Sequence, residues 1–325
     1  MSELHKFLFD GMPVRGAFVR LGPDWQTVVS RRAQTQPYPG AVVRTLGEMT
    51  AASLLLQANI KFNGAVVLQI MGDGPVQLAV VEVQPDFHFR ATAKVQGELA
   101  PDASLGQQIN VHHKGRCAIT LDPKDRLPGQ QPYQGVVALS DAQGRSFDSV
   151  SEVLSHYMLQ SEHLDTTLVL YADEQMACGL LIQRLPATGE ANLSGQSAVS
   201  HEADAMGENE DYNRIAMLAR SLKPEEMQTL AVDVLLHRLF WQEPLMHLAP
   251  DAVRQPTFAC TCSRERVANM LVSLGPDEVA AAIAEVGQVE VDCDFCGARY
   301  VFDPVDAAQL FVNTGLKPPA SQAAQ

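Results

Sequence analysis

The sequence predicts an α+β fold with an N-terminal domain of mixed antiparallel sheet and helix, a helical linker and a small C-terminal module that carries four cysteines. Three observations predict it: β-rich runs follow one another through tight turns, the composition changes after Pro186, and four of the six cysteines lie between residues 260 and 296. The predicted boundaries are 1–186 for the N-terminal domain, 187–255 for the linker, 256–312 for the cysteine module and 313–325 for a flexible tail.

The N-terminal domain is predicted from its hairpins. Gly64–Met71 and Val76–Val83 are rich in valine and other β-formers and are joined by Gly-Asp-Gly-Pro, a hairpin-type turn. Strands that follow one another without regular helical crossovers favour an α+β fold over a doubly wound sheet. Further strands are predicted at Cys117–Leu121, Gly135–Ser140, Thr167–Tyr171 and Gly179–Gln183, and helices at Thr45–Lys61 and Ser149–Leu159.

The linker begins with a segment of unusual composition. Residues Ala187–Asn213 contain no lysine or arginine, and His201–Asn213 contains five acidic residues. Such a segment cannot bury enough apolar area to offset the entropy of ordering it, so it is predicted to be a flexible acidic linker. Helices are then predicted at Ile215–Leu222 and, from apolar periodicity after Pro224, at Pro224–Phe240.

Charge and motifs exclude several classes of protein. Lys+Arg 24 against Asp+Glu 38 gives a net charge of −14, which argues against binding to a phosphate backbone. Met49–Ile60 is the longest uncharged helical stretch and is much shorter than the ~18–20 apolar residues of a membrane span. The N-terminus, with Glu3 and Asp10, is a poor signal peptide, so a cytoplasmic protein is predicted. The sequence has no P-loop, His-Glu-x-x-His or Gly-x-Ser-x-Gly motif, which favours a protein that is not an enzyme.

The cysteine pattern indicates a metal site. Cys260-Thr-Cys262 is followed, after 30 residues, by Cys293-Asp-Phe-Cys296. Four thiolates in two close pairs are typical ligands of a tetrahedral zinc ion, and the second pair is predicted to lie in a β-hairpin between Gln288–Asp292 and Arg299–Phe302. One zinc ion bound by Cys260, Cys262, Cys293 and Cys296 is therefore the predicted cofactor. Since structural zinc contributes roughly 10–16 kcal/mol, its loss should unfold so small a module.

The residues alone leave the role of this zinc site open. Most four-cysteine sites are purely structural. Bound thiolates are, however, also the form of cysteine that oxidants attack, so the site could respond to peroxide or hypochlorite. Cys117 and Cys178 lie in apolar strand contexts and are predicted to be inert core residues.

Two other functions compete with a redox-responsive site. A thiol–disulfide oxidoreductase using Cys293 and Cys296 would need a low-pKa cysteine at the start of a helix, whereas a hairpin with an Asp-Phe insert is predicted. A zinc-dependent interaction or nucleic-acid module is disfavoured by the net charge of −14.

The chain resembles the heat-shock protein 33 family of redox-regulated chaperones. The similarity is carried by Phe258–Arg266 (FACTCSRER), by Val291–Cys296 (VDCDFC) with Tyr300 and Phe302, and by Tyr157–Glu162 and Gly179–Pro186 in the first domain. The acidic residues of His201–Asp211 and the tail are peculiar to this chain.

The resemblance implies a holdase that works without ATP. It implies an inactive reduced form with zinc bound, and oxidation to the disulfides Cys260–Cys262 and Cys293–Cys296 with loss of zinc. The linker then unfolds and frees apolar surface for unfolding client proteins, and the active form is a homodimer. The linker helices and a face of the N-terminal sheet are the expected client-binding surface.

Overall fold

The computed structural model describes residues 2–34, 36–125, 129–185, 209–247 and 255–312. Within these ranges helices and antiparallel sheets are combined, which confirms the α+β prediction. The chain divides into two compact units, Met1–Ala259 and Cys260–Gln325. The linker helices thus belong to the first unit and the four cysteines to the second; the four-part division made from the sequence stays a prediction.

Two sheets form the frame of the first unit. In the described residues sheet A is antiparallel, with the strand order β10 (Leu245–His247), β1 (Glu3–Phe9), β2 (Val14–Leu21), β9 (Ala177–Arg184) and β8 (Thr166–Ala172). Sheet B has the order β11 (Thr257–Phe258), β5 (His88–Val95), β4 (Val76–Val83), β3 (Gly64–Met71), β6 (Arg116–Pro123) and β7 (Tyr133–Ala138). All pairs in sheet B are antiparallel except β11 with β5.

One helix fills the space between the two sheets. α2 (Gly40–Asn59) packs on strands of both sheets, and nearly every one of its residues is buried, because small and apolar residues occupy its whole circumference. The buried hydroxyls of Thr50 and Ser53 donate to the carbonyl oxygens of Leu46 and Met49 at 2.7 Å, so they are satisfied within the helix. The remaining helices of this core are α1 (Pro23–Ala33), α3 (Leu105–Ile109) and α4 (Val150–Ser161).

The other face of sheet A is covered by the linker helices. These are α5 (Glu210–Arg220), α6 (Pro224–Thr229) and α7 (Val232–Phe240). They bury a second apolar cluster, which we call the linker interface. Its strand side is Phe7, Phe9, Val14, Phe18, Cys178, Leu180 and Ile182, and its helix side includes Ile215, Ala219, Met227, Leu235, Leu236 and Phe240.

Two predictions about the linker were wrong. The helix predicted over Pro224–Phe240 is broken, because Leu230 (ψ 142°) and Ala231 (ψ 144°) have extended backbone between α6 and α7. The segment predicted to be flexible extends to Asn213, yet Asn209 caps α5 with its side chain and Glu210–Asn213 form the first turn. Residues 187–208 and the predicted tail, 313–325, lie outside the described residues.

The second unit is small. It comprises α8 (Arg264–Leu274), α9 (Pro276–Val286), the hairpin of β12 (Val289–Asp292) and β13 (Arg299–Phe302), and α10 (Pro304–Val312). The hairpin agrees with the prediction, and Gly287 ends α9 with a positive φ of 86°. Its core consists of Leu271, Val279, Val289, Phe302, Ala307 and Phe311, a set too small to stabilise it strongly.

No single helix in the described ranges is long and apolar enough to span a bilayer; only α8 and α9 taken together have that length and composition, and they are bent by 107° at their junction.

Candidate metal centre

The segment before α8 and the turn between β12 and β13 bring the four cysteines together. Cys260 and Cys262 lie in the extended segment that precedes α8, whose first turn is capped by Ser263 through an Oγ that accepts from the Arg266 amide at 3.2 Å. Cys293 and Cys296 lie in the turn between β12 and β13. The Cys293 carbonyl accepts from the Gly297 amide at 2.8 Å, and Gly297 has the positive φ of 68° that this tight turn requires.

The four sulfur atoms lie within 4.8 Å of one another. The Sγ–Sγ distance is 3.6 Å from Cys260 to Cys293 and 3.3 Å from Cys262 to Cys296. In a tetrahedral zinc site with Zn–S bonds of ~2.3 Å, sulfurs are ~3.8 Å apart. The observed spacing and the pure thiol donor set therefore fit zinc with only small shifts of the side chains.

Hydrogen-bond donors surround the sulfurs. The backbone amides of Phe295 and Cys296 donate to the Cys293 sulfur, and the Ala298 amide donates to the Cys296 sulfur. The Tyr300 hydroxyl donates to Cys262 Sγ at 3.1 Å. Donors directed at sulfur stabilise the thiolate, which is the form that binds metal.

The cysteines differ in their acidity. Burial opposes ionisation of Cys262, but the hydrogen bonds from Tyr300 and from the other three cysteines outweigh it and lower its pKa to about 7. Burial raises the pKa of both Cys293 and Cys296, and their thiol neighbours add to the effect. Both cysteines that an oxidoreductase would use thus have a raised pKa, and they lie in a hairpin turn and not at the start of a helix, which disfavours that alternative.

Arg264 joins the segment that carries Cys260 and Cys262 to the rest of the second unit. Its Nη1 donates to the Val301 carbonyl and its Nη2 to Asp306, both at 2.7 Å. Its guanidinium also lies 4.2 Å from the centre of the Phe302 ring. This residue begins α8, so the first cysteine pair is held near the hairpin that carries the second.

The structure places the six cysteines as the sequence indicated. The four that were predicted to cluster do so, and Cys117 and Cys178 are fully buried in β6 and β9 of the first unit. Burial raises the pKa of each of these two thiols to about 12, as expected of inert core residues. The backbone donors to sulfur were not predicted, although the Cys-x-x-Cys hairpin could have indicated them.

Comparison with known proteins gives matches over most of the chain. A family model described as "Hsp33 protein" matches residues 2–303. The "33 kDa chaperonin" of Chromobacterium violaceum is 46% identical over 313 residues, which cover 95% of this chain and 94% of that protein. The protein of the same name from Neisseria meningitidis serogroup A is 39% identical over 308 residues, covering 94% and 90%.

A solved structure shows the same fold. The crystal structure of the 33 kDa chaperonin from Thermotoga maritima, described as a heat shock protein 33 homolog, matches with a TM-score of 0.71. The match covers 97% of this chain and 99% of that one at 19% sequence identity. At that identity the comparison is evidence for the fold alone.

Proposed function

The chain belongs to the Hsp33 family, and we propose that it is a redox-regulated, ATP-independent holdase chaperone whose switch is the four-cysteine cluster. The observation that carries the proposal is the gathering of four sulfurs within 4.8 Å in a unit with a very small apolar core. A chemical change at these sulfurs would therefore decide whether the unit stays folded.

In the reduced form, Cys260, Cys262, Cys293 and Cys296 would hold one zinc ion. When bound, zinc holds the four sulfurs as thiolates and cross-links the segment before α8 to the hairpin turn. The backbone donors at Cys293 and Cys296 and the Tyr300 hydroxyl offset the negative charge that four thiolates bring together.

Oxidation removes the ligands. Peroxide oxidises one sulfur of a pair to a sulfenic acid, the second sulfur attacks it, and a disulfide forms with release of water. Two such two-electron steps consume all four thiols. We propose the pairs Cys260–Cys262 and Cys293–Cys296, on the basis of the family resemblance; the two measured contacts, Cys260 with Cys293 and Cys262 with Cys296, define the alternative pairing.

The linker interface is the surface that the switch would expose. Its strand side contains Phe7, Phe9 and Phe18, each at most 1% exposed while α5, α6 and α7 cover them. In sequence, β10 and β11 separate α7 from Cys260, so unfolding of the cysteine unit would act on the segment that follows these helices. Detachment of the helices would present a continuous apolar sheet face to unfolding proteins.

We also propose the partners, the oligomeric state and the location of the chaperone. The partners are unfolding client proteins, the active oxidised form is a homodimer, and the location is the cytoplasm. The net charge of −14 supports the prediction that nucleic acid is not a partner.

An aggregation assay tests the proposal. Reduced, zinc-loaded protein is compared with protein treated with peroxide at mild heat. Light scattering measures the aggregation of a thermally denaturing client enzyme in the presence of each sample. Metal content and free thiols of each sample are measured in parallel. We expect suppression of aggregation only after four thiols and one zinc ion per chain are lost. Mass spectrometry of the oxidised chain identifies the pairing, and Cys117→Ala, which removes a buried thiol outside the cluster, is the matched control. Equal suppression by the reduced and oxidised proteins would rule the switch out.

A further inference from the structure

A cavity of about 150 Å³ lies in the first unit where α2, α4 and the two sheets meet. Its apolar lining is Leu56, Ile60, Ile119, Leu121, Met158 and Leu164. An apolar cavity of ~150 Å³ is large enough to bind a benzene ring. Tyr133 also lines the cavity and is 51% exposed, so the cavity reaches the protein surface.

Asn59 lines this cavity and carries an unsatisfied acceptor. Asn59, at the C-terminal end of α2, is 9% exposed, and its Nδ2 donates to the Leu55 carbonyl at 2.8 Å. Its Oδ1 is buried and has no hydrogen-bond partner among the residues that the structure describes. Buried side-chain oxygens in folded proteins nearly always accept a hydrogen bond, so this atom is suited to an N–H donor of a ligand.

A cation also lines the cavity. Arg15 of β2 donates through Nε to Gln183 Oε1 at 3.0 Å and through Nη1 to the Asn59 carbonyl at 2.9 Å, and its Nη2 donates to Gln183 as well. These acceptors are neutral, and within the described ranges no carboxylate forms an ion pair with Arg15. The guanidinium has five N–H groups, so two remain for a further acceptor.

Glu162 also lines the cavity, and its carboxylate already accepts two hydrogen bonds. Glu162 Oε1 accepts from the hydroxyls of Tyr133 at 3.2 Å and Tyr157 at 3.1 Å. Gly135 makes room for this arrangement, since a Cβ there would lie 2.1 Å from the Tyr157 hydroxyl oxygen. The cavity therefore offers one free cation, one free neutral acceptor and an apolar space, held in place by hydrogen-bonded neighbours.

We propose that this cavity binds the α-carboxylate of an apolar amino acid. Arg15 donates its remaining N–H groups to the carboxylate, Asn59 Oδ1 accepts the α-N–H, and the apolar side chain fills the space between Ile119 and Leu56. A free amino acid and the C-terminal residue of a peptide share this chemistry. The site lies within the first unit and contains no cysteine, so its existence does not depend on the redox switch.

Three phenylalanine derivatives separate the effect of the carboxylate charge from that of the side chain, and the two acetylated ones have the same size. Reduced full-length protein, with its metal retained, is titrated with L-phenylalanine, N-acetyl-L-phenylalanine and N-acetyl-L-phenylalaninamide, while the side-chain amide NMR signals of Asn59 and Gln183 are followed. We expect saturable shifts with at least one of the two acids. The uncharged amide should bind at least about tenfold more weakly than that acid. Binding of only the free amino acid identifies free amino acids as the source, and binding of the acetylated acid identifies peptide C-termini.

Arg15→Gln and Arg145→Gln form a matched pair of variants. Arg145 is exposed and pairs with Asp141 on a surface turn, so its loss should leave binding unchanged. Arg15→Gln should abolish it while the far-UV circular dichroism stays native. The proposal is overturned if neither acid shifts the two amides, or if the uncharged amide binds as tightly as the acids. Equal loss of binding in both variants would also contradict it. The probe comparison needs only wild-type protein, so it decides the matter even if Arg15→Gln does not fold.

Discussion

Arg20 of β2 donates through Nη2 to the carbonyl oxygen of Leu230, at 2.6 Å, at the break between α6 and α7. Its Nε donates to the Met227 carbonyl at 2.8 Å, and its Nη1 pairs with Glu3 at 2.9 Å. Carbonyl groups at the end of a helix have no partner within the helix. A single strand residue thus satisfies two of them and fastens the linker helices to sheet A.

Replacing this arginine should loosen the linker helices. Arg20→Gln removes the ion pair with Glu3 and the two hydrogen bonds to the linker helices, each of the latter worth about 1.5–3 kcal/mol. We expect amide hydrogen exchange in residues 224–240 of the reduced protein to be at least tenfold faster and client protection to begin at lower peroxide. Mass spectrometry of peptides from this range measures the exchange, with Arg145→Gln as control. Unchanged exchange would show that Arg20 does not hold the helices.

Two adjacent aromatic residues give a matched test of the linker interface. Phe240 is 1% exposed and its ring meets that of Phe9 edge-on at 5.1 Å, whereas Trp241 is 67% exposed. Phe240→Ala leaves a cavity in the interface and should weaken helix attachment by about 3–5 kcal/mol. We expect this variant to suppress client aggregation while still reduced and Trp241→Ala to behave like the wild type. An inactive reduced Phe240→Ala protein whose α7 exchanges as slowly as in the wild type would contradict this.

The cysteines should separate into two classes of reactivity. In reduced protein treated with a chelator at pH 8, the cysteine unit should unfold and free its four thiols from burial, so we expect iodoacetamide to modify them and to spare Cys117 and Cys178, which stay in the folded core. The pKa of each of the latter is raised to about 12 by burial, so only ~1 in 10,000 of either thiol is ionised at that pH. Peptide mapping identifies the modified residues. Labelling of Cys117 in folded protein would show that the core is less rigid than the structure implies.

Glu48 of α2 should make the first unit less stable as pH rises. Burial raises its pKa to about 7, against a smaller opposing effect of Arg44. The folded state therefore prefers the protonated acid, so the contribution is fully present below the ordinary pKa near 4.5 and is lost as pH rises to about 7.

A neutral replacement tests this sign. Glu48→Gln should increase the free energy of unfolding at pH 8, by up to about 3 kcal/mol for a shift of this size, with little gain at pH 4.5. Denaturant titrations of both proteins at the two pH values measure the difference. A gain of the same size at both would show that the effect is not due to ionisation.

Much of this architecture follows from local sequence. Gly64–Met71 and Val76–Val83 form the predicted hairpin at the predicted residues. The β-branched residues favour strands and the Gly-Asp-Gly-Pro segment favours a tight turn, so both local preferences favour the same structure. The four cysteines could likewise be assigned to one site from their spacing. Both features depend on residues close together in the chain or on chemistry that has few alternatives.

The parts that were missed depend on distant residues. The break at Leu230 is stabilised by Arg20, 210 positions away, and no apolar periodicity can show that contact. β1 and β2 contain Glu3, Lys6, Arg15 and Arg20, charged residues that obscure the apolar alternation of the strands, and Glu3 and Arg20 form an ion pair only once the two strands are side by side. The start of α5 was missed for a different reason: Asn209 followed by two acids is a capping signal that the acidic composition of the linker concealed.

The most direct measurement is the folding of the cysteine unit after its metal is removed without oxidation. Full-length reduced protein is exchanged into deuterium with and without a zinc chelator, and peptides from residues 260–312 are compared with peptides from α2. The account predicts that metal removal abolishes protection throughout 260–312 and leaves α2 protected. Full protection of 260–312 in metal-free, reduced protein would contradict it, since the sulfurs would then have no control over the fold of their own unit.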